Sequence, residues 1–186
     1  MLKDKYGYNN PIFTEDLSHC EHDELLSLIT LGKVKLFEEG IYFFFRKRSR
    51  GDSMINPYPI IERRFLTGAN GFFSGATLRN RSGVSTQMPN LIELTSNNEV
   101  EEVSYVNVGH CLVKAHRAPI QISQDNVNAL QFLDLLNSVS GWDLDDYERA
   151  NLYMFKEKLG ISVEALQPYL NLYPNACLTV KEVDLV

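Results

Sequence analysis

The chain has 186 residues, 44% of them hydrophobic and 23% charged, with a formal net charge of −6. That is long enough for one large domain, or a small module and a larger one, around a buried core. The longest apolar run, residues 41–45, is far short of the about 20 residues that span a bilayer, and no cationic start leads into an apolar stretch, so a folded cytoplasmic protein without membrane association is expected.

Thr14, Glu15 and Asp16 read as the start of a short helix, with Thr14 as cap and the two acids at the positive end of its dipole. A turn near His19 and Cys20 leads to a second helix from about Glu21, where Leu25, Leu28 and Ile29 recur at helical spacing, Leu26 broadens the stripe and Asp23 and Glu24 sit in the first turn. Gly32 is placed to stop it in a left-handed cap. Val34 and Leu36 alternate with Lys33 and Lys35 as in a half-buried strand, Gly40 suits a tight turn, and residues 41–45 return as a second strand. Helix, stop, hairpin and then Arg46-Lys47-Arg48-Ser49-Arg50 is the order of a winged helix-turn-helix, assigned to residues 1–50.

The remainder, 51–186, is expected to be a separate α+β domain with a small antiparallel sheet and C-terminal helices. Pro57 and Pro59 mark the boundary. Short helices are expected over residues 60–66 and 75–80, with a loop over 68–71. Strands follow over 91–95, 103–108 and 111–115. In the last of these Leu112, Lys114 and His116, with His110 before them, share one face, and Cys111, Val113 and Ala115 the other. Ser123 or Asp125 can cap a helix whose buried stripe is Val127, Leu130, Leu133 and Leu136, broadened by Phe132 and Leu135 and closed by Gly141. Two more helices are expected over 144–159 and 162–172.

Charge is unevenly distributed. Residues 1–32 carry two cations and six anions, 33–81 carry ten and four, and 82–186 carry six and fourteen. A basic middle between acidic flanks points to a confined anion-binding surface, because exposed charges act over about 8 Å and not through the chain total. Lys33, Lys35, Arg46, Lys47, Arg48 and Arg50 are the candidate phosphate contacts, with Arg63, Arg64, Arg79 and Arg81 as a second patch. Tyr42, Phe43, Phe44 and Phe45 are read as packing residues of the wing strand rather than base-stacking ones.

Chemistry-bearing clusters are weak. His19, Cys20 and His22 lack a fourth metal ligand, and His110, Cys111 and His116 split across a strand. Cys20, Cys111 and Cys177 have no C-x-x-C spacing, which gives neither a disulfide framework nor a structural zinc site. Gly68, Gly71 and Gly75 are read as turn residues, since no Lys-Ser/Thr ending follows. Ser74 lacks the G-x-S-x-G context of an acyl-transfer nucleophile. Asp143, Asp145, Asp146 and Glu148 read as a helix start. No enzyme, cofactor or metal is expected.

The segment GKVKLFEEGIYFFFRKRSRG, followed by Ser82-Gly83-Val84-Ser85-Thr86-Gln87-Met88-Pro89-Asn90 and Arg117-Ala118-Pro119-Ile120, resembles the AbiEi-like antitoxins of type IV toxin–antitoxin (abortive infection) systems and their relatives. The likeness runs from about Phe13 to about Leu136. It implies an N-terminal winged helix that binds promoter DNA and represses its operon, a C-terminal domain adding basic contacts, and a nucleotidyltransferase-like toxin as functional partner. It also implies a helix ahead of Phe13, for which the sequence leaves little room. The recognition-helix position reads EHDELLSLIT, with acids and no Arg or Lys, whereas base readout relies on Arg, Lys, Asn or Gln. Contacts are therefore expected from the wing and its basic exit. The alternative is a protein-interaction module whose degenerate winged helix binds a protein and not DNA.

Overall fold

The computed structural model describes residues 1–99, 101–139 and 144–176 of a mixed α+β protein. Gly141, Asp143 and Cys177 lie outside the described residues. The chain divides into two units: Met1–Arg63 with Val108–His110, and Arg64–Asn107 with Cys111–Val186.

In the first unit a short helix α1 (Leu2–Tyr6) precedes strand β1 (Pro11–Phe13), a single 3-10 turn (Thr14–Asp16), helix α2 (His19–Thr30) and the hairpin of β2 (Val34–Glu38) and β3 (Ile41–Phe44). The expected turn at His19 and Cys20 is instead the first turn of α2. The Glu21 carboxylate accepts hydrogen bonds from both the Ser18 backbone N–H and hydroxyl, each at 2.9 Å, so the helix starts at Ser18. At the other end Gly32 adopts φ 62°, the left-handed stop its position predicted. Gly40 adopts φ 76° in the β2–β3 turn, with β1 and β2 flanking β3, both antiparallel. Leu2, Ile12, Leu25, Val34 and Phe44 form the core, so α1 and β1 cover the inner face of α2 and the hairpin.

The boundary falls between Arg63 and Arg64, not at Arg50. Asn9, in the left-handed region at φ 66°, explains much of this. Its N–H donates to the Phe44 carbonyl at 2.7 Å, its side-chain oxygen accepts from the Ser53 hydroxyl at 2.5 Å, and its carbonyl accepts from the Asn56 N–H at 2.6 Å. Residues beyond the basic run are thereby bonded to the N-terminal segment. The run itself folds into a two-stranded ribbon, β4 (Lys47–Arg48) with β5 (Gly51–Asp52), followed by α3 (Tyr58–Ile61), which continues without a break as a π-helical stretch (Glu62–Leu66), so the expected helix over 60–66 is present with its winding changed.

The second unit holds a four-stranded sheet of β6 (Gly71–Phe73), β7 (Ile92–Ser96), β8 (Val103–Val108) and β9 (Cys111–Arg117), in the order β6-β7-β9-β8. It is mixed rather than antiparallel: β7 runs parallel to β9, with Ile92 opposite Val113 and Ser96 opposite Arg117. Sequence alternation cannot reveal this, because β8 and β9 form a hairpin whichever strand lies beyond them. In β9 Val113 and Ala115 are buried and Leu112 is exposed, as the period-two pattern expects. His110 lies in the turn before β9. Helix α4 (Gly75–Arg81) links β6 to β7. Helix α5 (Val127–Asn137) buries Leu130, Phe132, Leu133, Leu135 and Leu136 completely, and helix α6 (Asp146–Leu159) adds Leu152 and Phe155 to the same core. Asp145 begins α6 by accepting from the Glu148 N–H at 2.7 Å, while Glu148 accepts from the Asp145 N–H at 3.1 Å. Helix α7 (Val163–Leu166) continues as a 3-10 turn (Gln167–Leu172).

Candidate anion-binding surface

The basic side chains predicted from sequence do not behave as one set. Lys33, Lys47, Arg48 and Arg50 are exposed and form no ion pair with any described residue. Arg46 is also exposed, and its guanidinium lies 4.6 Å from the centre of the Tyr8 ring. Its backbone is fixed on both sides, since the Arg46 N–H donates to the Ser53 hydroxyl at 2.7 Å and the Ser53 N–H to the Arg46 carbonyl at 2.8 Å. The β4–β5 ribbon therefore presents Lys47, Arg48 and Arg50 from an anchored base.

Two members of the predicted set are neutralised inside the first unit. Lys35 pairs with Asp52 at 2.6 Å and lies 4.8 Å from the Phe45 ring centre. Arg63 binds both oxygens of Asp16, at 2.5 and 2.8 Å, pairs with Glu15 at 2.6 Å and covers the Phe13 ring at 4.3 Å. Hydrogen bonding to Arg63 holds the Asp16 carboxyl below its ordinary range, and the same bond raises Arg63. A bidentate, stacked arginine has a structural task, so Arg63 leaves the list of phosphate contacts. The sequence reading missed this because Asp16 and Arg63 are remote in the chain.

The other three predicted arginines belong to the second unit. Arg64 and Arg81 each have partners of their own, Arg81 covering the Phe73 ring at 4.3 Å. Arg79 is half-buried on α4, and its Nε is buried without a hydrogen-bond partner among the described residues. A phosphate contact does not suit that atom.

In the first unit, two residues that sequence reasoning passed over join the free cations. Lys3 of α1 lies 4.7 Å from the Tyr8 ring centre, and Lys3, Tyr8, Lys33 and Lys47 all line one cleft of about 540 Å³. Hydrogen bonding to Lys3, reinforced by the charges of Lys3, Arg46 and Lys33, draws the Tyr8 phenol below its ordinary pKa. This is the signature of a locally positive field. The clue in the sequence was the LKDKYGY opening, where cations and tyrosines cluster beside a strand. Lys5 is not part of this field: it pairs with Glu21 at 2.7 Å, which lowers the Glu21 carboxyl to about 2.

Helix α2 carries a different surface. Leu26 is 61% exposed, Ile29 37% and the following Leu31 66%, alongside the exposed Asp23. Among the described residues no cluster of three or more His, Cys, Asp or Glu side chains is arranged to hold a metal ion, and no helix is long and apolar enough to cross a membrane. No protein-family model matches the chain, and no curated protein matches it.

Proposed function

We propose that the protein is a DNA-contacting regulator of the AbiEi-like antitoxin kind, which represses its own operon and opposes a nucleotidyltransferase-like toxin. In this reading the first unit is a reduced winged helix: α1, β1, one 3-10 turn in place of the second helix, α2, and the β2–β3 wing. The order of these elements and the β1-β3-β2 sheet support it. The observation that carries the reading is the group of exposed cations on either side of the wing that form no ion pair with any described residue: Lys33, Arg46, Lys47, Arg48 and Arg50. Phosphates neutralised there release condensed counterions, and about five contacts give a log–log salt slope near −4 to −5. Such contacts position a duplex without reading its sequence. Sequence preference is accordingly weak, and selectivity comes from a symmetric pair of sites or from a second chain. An anisotropy titration with the upstream duplex at two salt concentrations tests this: affinity falls steeply with salt, and binding that ignores salt rejects it.

A second reading is favoured by α2 itself. A recognition helix with acids, no Arg or Lys and two exposed aliphatic residues, followed by the exposed Leu31, suits a protein partner better than a major groove. In that case the first unit is a protein-interaction module. Leu26→Ala with Ile29→Ala then weakens capture of the toxin about tenfold or more while leaving duplex affinity within about twofold, because the change removes exposed apolar surface and alters no charge.

A further inference from the structure

We infer that the cleft between α1, the end of α2 and the segment from the end of β3 to β4 is a nucleotide site that takes an unpaired nucleotide, with its phosphate on Lys3, Lys33 and Lys47 and its base against Leu28, Leu31 and Phe45. This rests on the proposed nucleic-acid function of the same unit and adds the form of the ligand. All of these residues line one cavity of about 540 Å³, inside the about 300–1,000 Å³ of small-molecule clefts. A duplex backbone needs only a convex basic ridge, which Arg48 and Arg50 on the β4–β5 ribbon supply. A concave site with ammonium groups beside an apolar wall matches a ligand having both an anionic group and a flat apolar body.

Two details favour a phosphate over a second protein. The acid among the lining residues, Glu24, is engaged by the Leu2 N–H at 3.0 Å, so it is held at the α1–α2 contact. The Tyr8 ring is already approached by Lys3 at 4.7 Å and Arg46 at 4.6 Å. Its role is to seat cations, not to stack on a base. The base instead meets Phe45, which is half-buried and carries one cation, Lys35 at 4.8 Å, where Tyr8 carries two, and the aliphatic side chains of Leu28 and Leu31. Base–aromatic stacking of this kind tolerates any base.

The test is an anisotropy titration of the full chain with a labelled oligothymidylate and, separately, a labelled duplex. Thymidine monophosphate and inorganic phosphate serve as competitors. Lys3→Gln with Lys33→Gln weakens the oligothymidylate about tenfold or more, the loss expected for about 1.4 kcal/mol or more of contact. Arg48→Gln with Arg50→Gln weakens the duplex and leaves the oligothymidylate close to wild type. Unchanged melting temperatures show that both variants remain folded, and Leu31→Asp offers an independent probe of the base wall. Displacement of the oligothymidylate by thymidine monophosphate at lower concentration than by inorganic phosphate supports a nucleotide site, and the ratio of monophosphate to oligothymidylate affinity says whether free nucleotide or strand is the ligand. Equal displacement by the two competitors overturns it, as does an oligothymidylate affinity untouched by Lys3→Gln with Lys33→Gln. Loss of duplex binding by the wild-type chain, with oligothymidylate binding intact, rejects the proposed regulator and leaves the nucleotide site standing.

Discussion

The two units use charge in opposite ways. In the first, ten acids meet nine cations over residues 1–63, and five of the acids are engaged close to home: Glu21 with Lys5, Asp16 and Glu15 with Arg63, Asp52 with Lys35, and Glu24 with the Leu2 N–H. That leaves Lys3, Lys33, Arg46, Lys47, Arg48 and Arg50 exposed and without an ion pair to any described residue. In the second unit the notable charge is buried. Asp134 on α5 accepts from the Gly75 N–H at 3.1 Å, and burial, with Glu93 nearby, raises its pKa to about 6. Glu93 caps the same helix start by accepting from the Ala76 N–H at 2.7 Å. A near-neutral formal balance can thus present a basic face, while an acidic unit can hide its most perturbed carboxyl.

The sharpest way to separate the units is to hollow one core. Phe132→Ala in α5, a fully buried position of the second unit, costs about 3–5 kcal/mol, and Leu25→Ala in α2 about 2–5 kcal/mol in the first unit's smaller core. Urea unfolding followed by hydrogen exchange assigns each loss to its own unit, and a loss shared equally between them breaks the comparison.

The buried carboxyl gives the next effect. Asp134 has a folded pKa of about 6 against an ordinary value of 3.8, so the folded state binds the extra proton between those values. Its contribution is therefore least unfavourable below pH 4 and becomes about 3 kcal/mol destabilising as pH rises through 6. Asp134→Asn, which keeps an acceptor for Gly75, removes that slope. A wild-type stability that rises over the same interval, after correction for other groups, contradicts the assignment.

A smaller change tests the stop between α2 and the β2–β3 hairpin. Gly32→Ala costs about 1 kcal/mol, because φ 62° disfavours a Cβ while the space around it is open. The smallest stability effect belongs to the basic exit: Arg46, Lys47, Arg48 and Arg50 replaced together by alanine shift the melting temperature little, since exposed charges contribute weakly to folding. A collapse on that replacement makes the cations structural.

The sequence made visible what local periodicity records. Leu25 at helical spacing, Gly32 as a stop, the β2–β3 hairpin and the apolar stripe of α5 all appear in the fold near their expected places, but Leu36, expected to share the buried face with Val34, is 60% exposed. What it concealed depends on partners distant in the chain. Strand β1 is three residues long and shows itself only by pairing with β3; α1 is too short to display a period. The parallel β7–β9 pair has no local signal, and neither does the change from α- to π-type winding at Glu62 within the expected helix. The same limit governs the candidate site. A run such as Arg46 to Arg50 is visible as a charge block, but that Arg63 is held by Asp16, and that Lys3 and Tyr8 join Lys33 and Lys47, follows only from packing.

The central claim is that exposed, unneutralised cations of the first unit bind the phosphates of a polynucleotide. It is tested most directly by the salt dependence of duplex affinity, measured for the wild-type chain and for the variant with Arg46, Lys47, Arg48 and Arg50 replaced by alanine. The expected log–log slope is near −4 to −5 for wild type and flattens by about 3–4 in the variant at unchanged thermal stability. A slope that is the same in both proteins, or no binding at low salt, contradicts it.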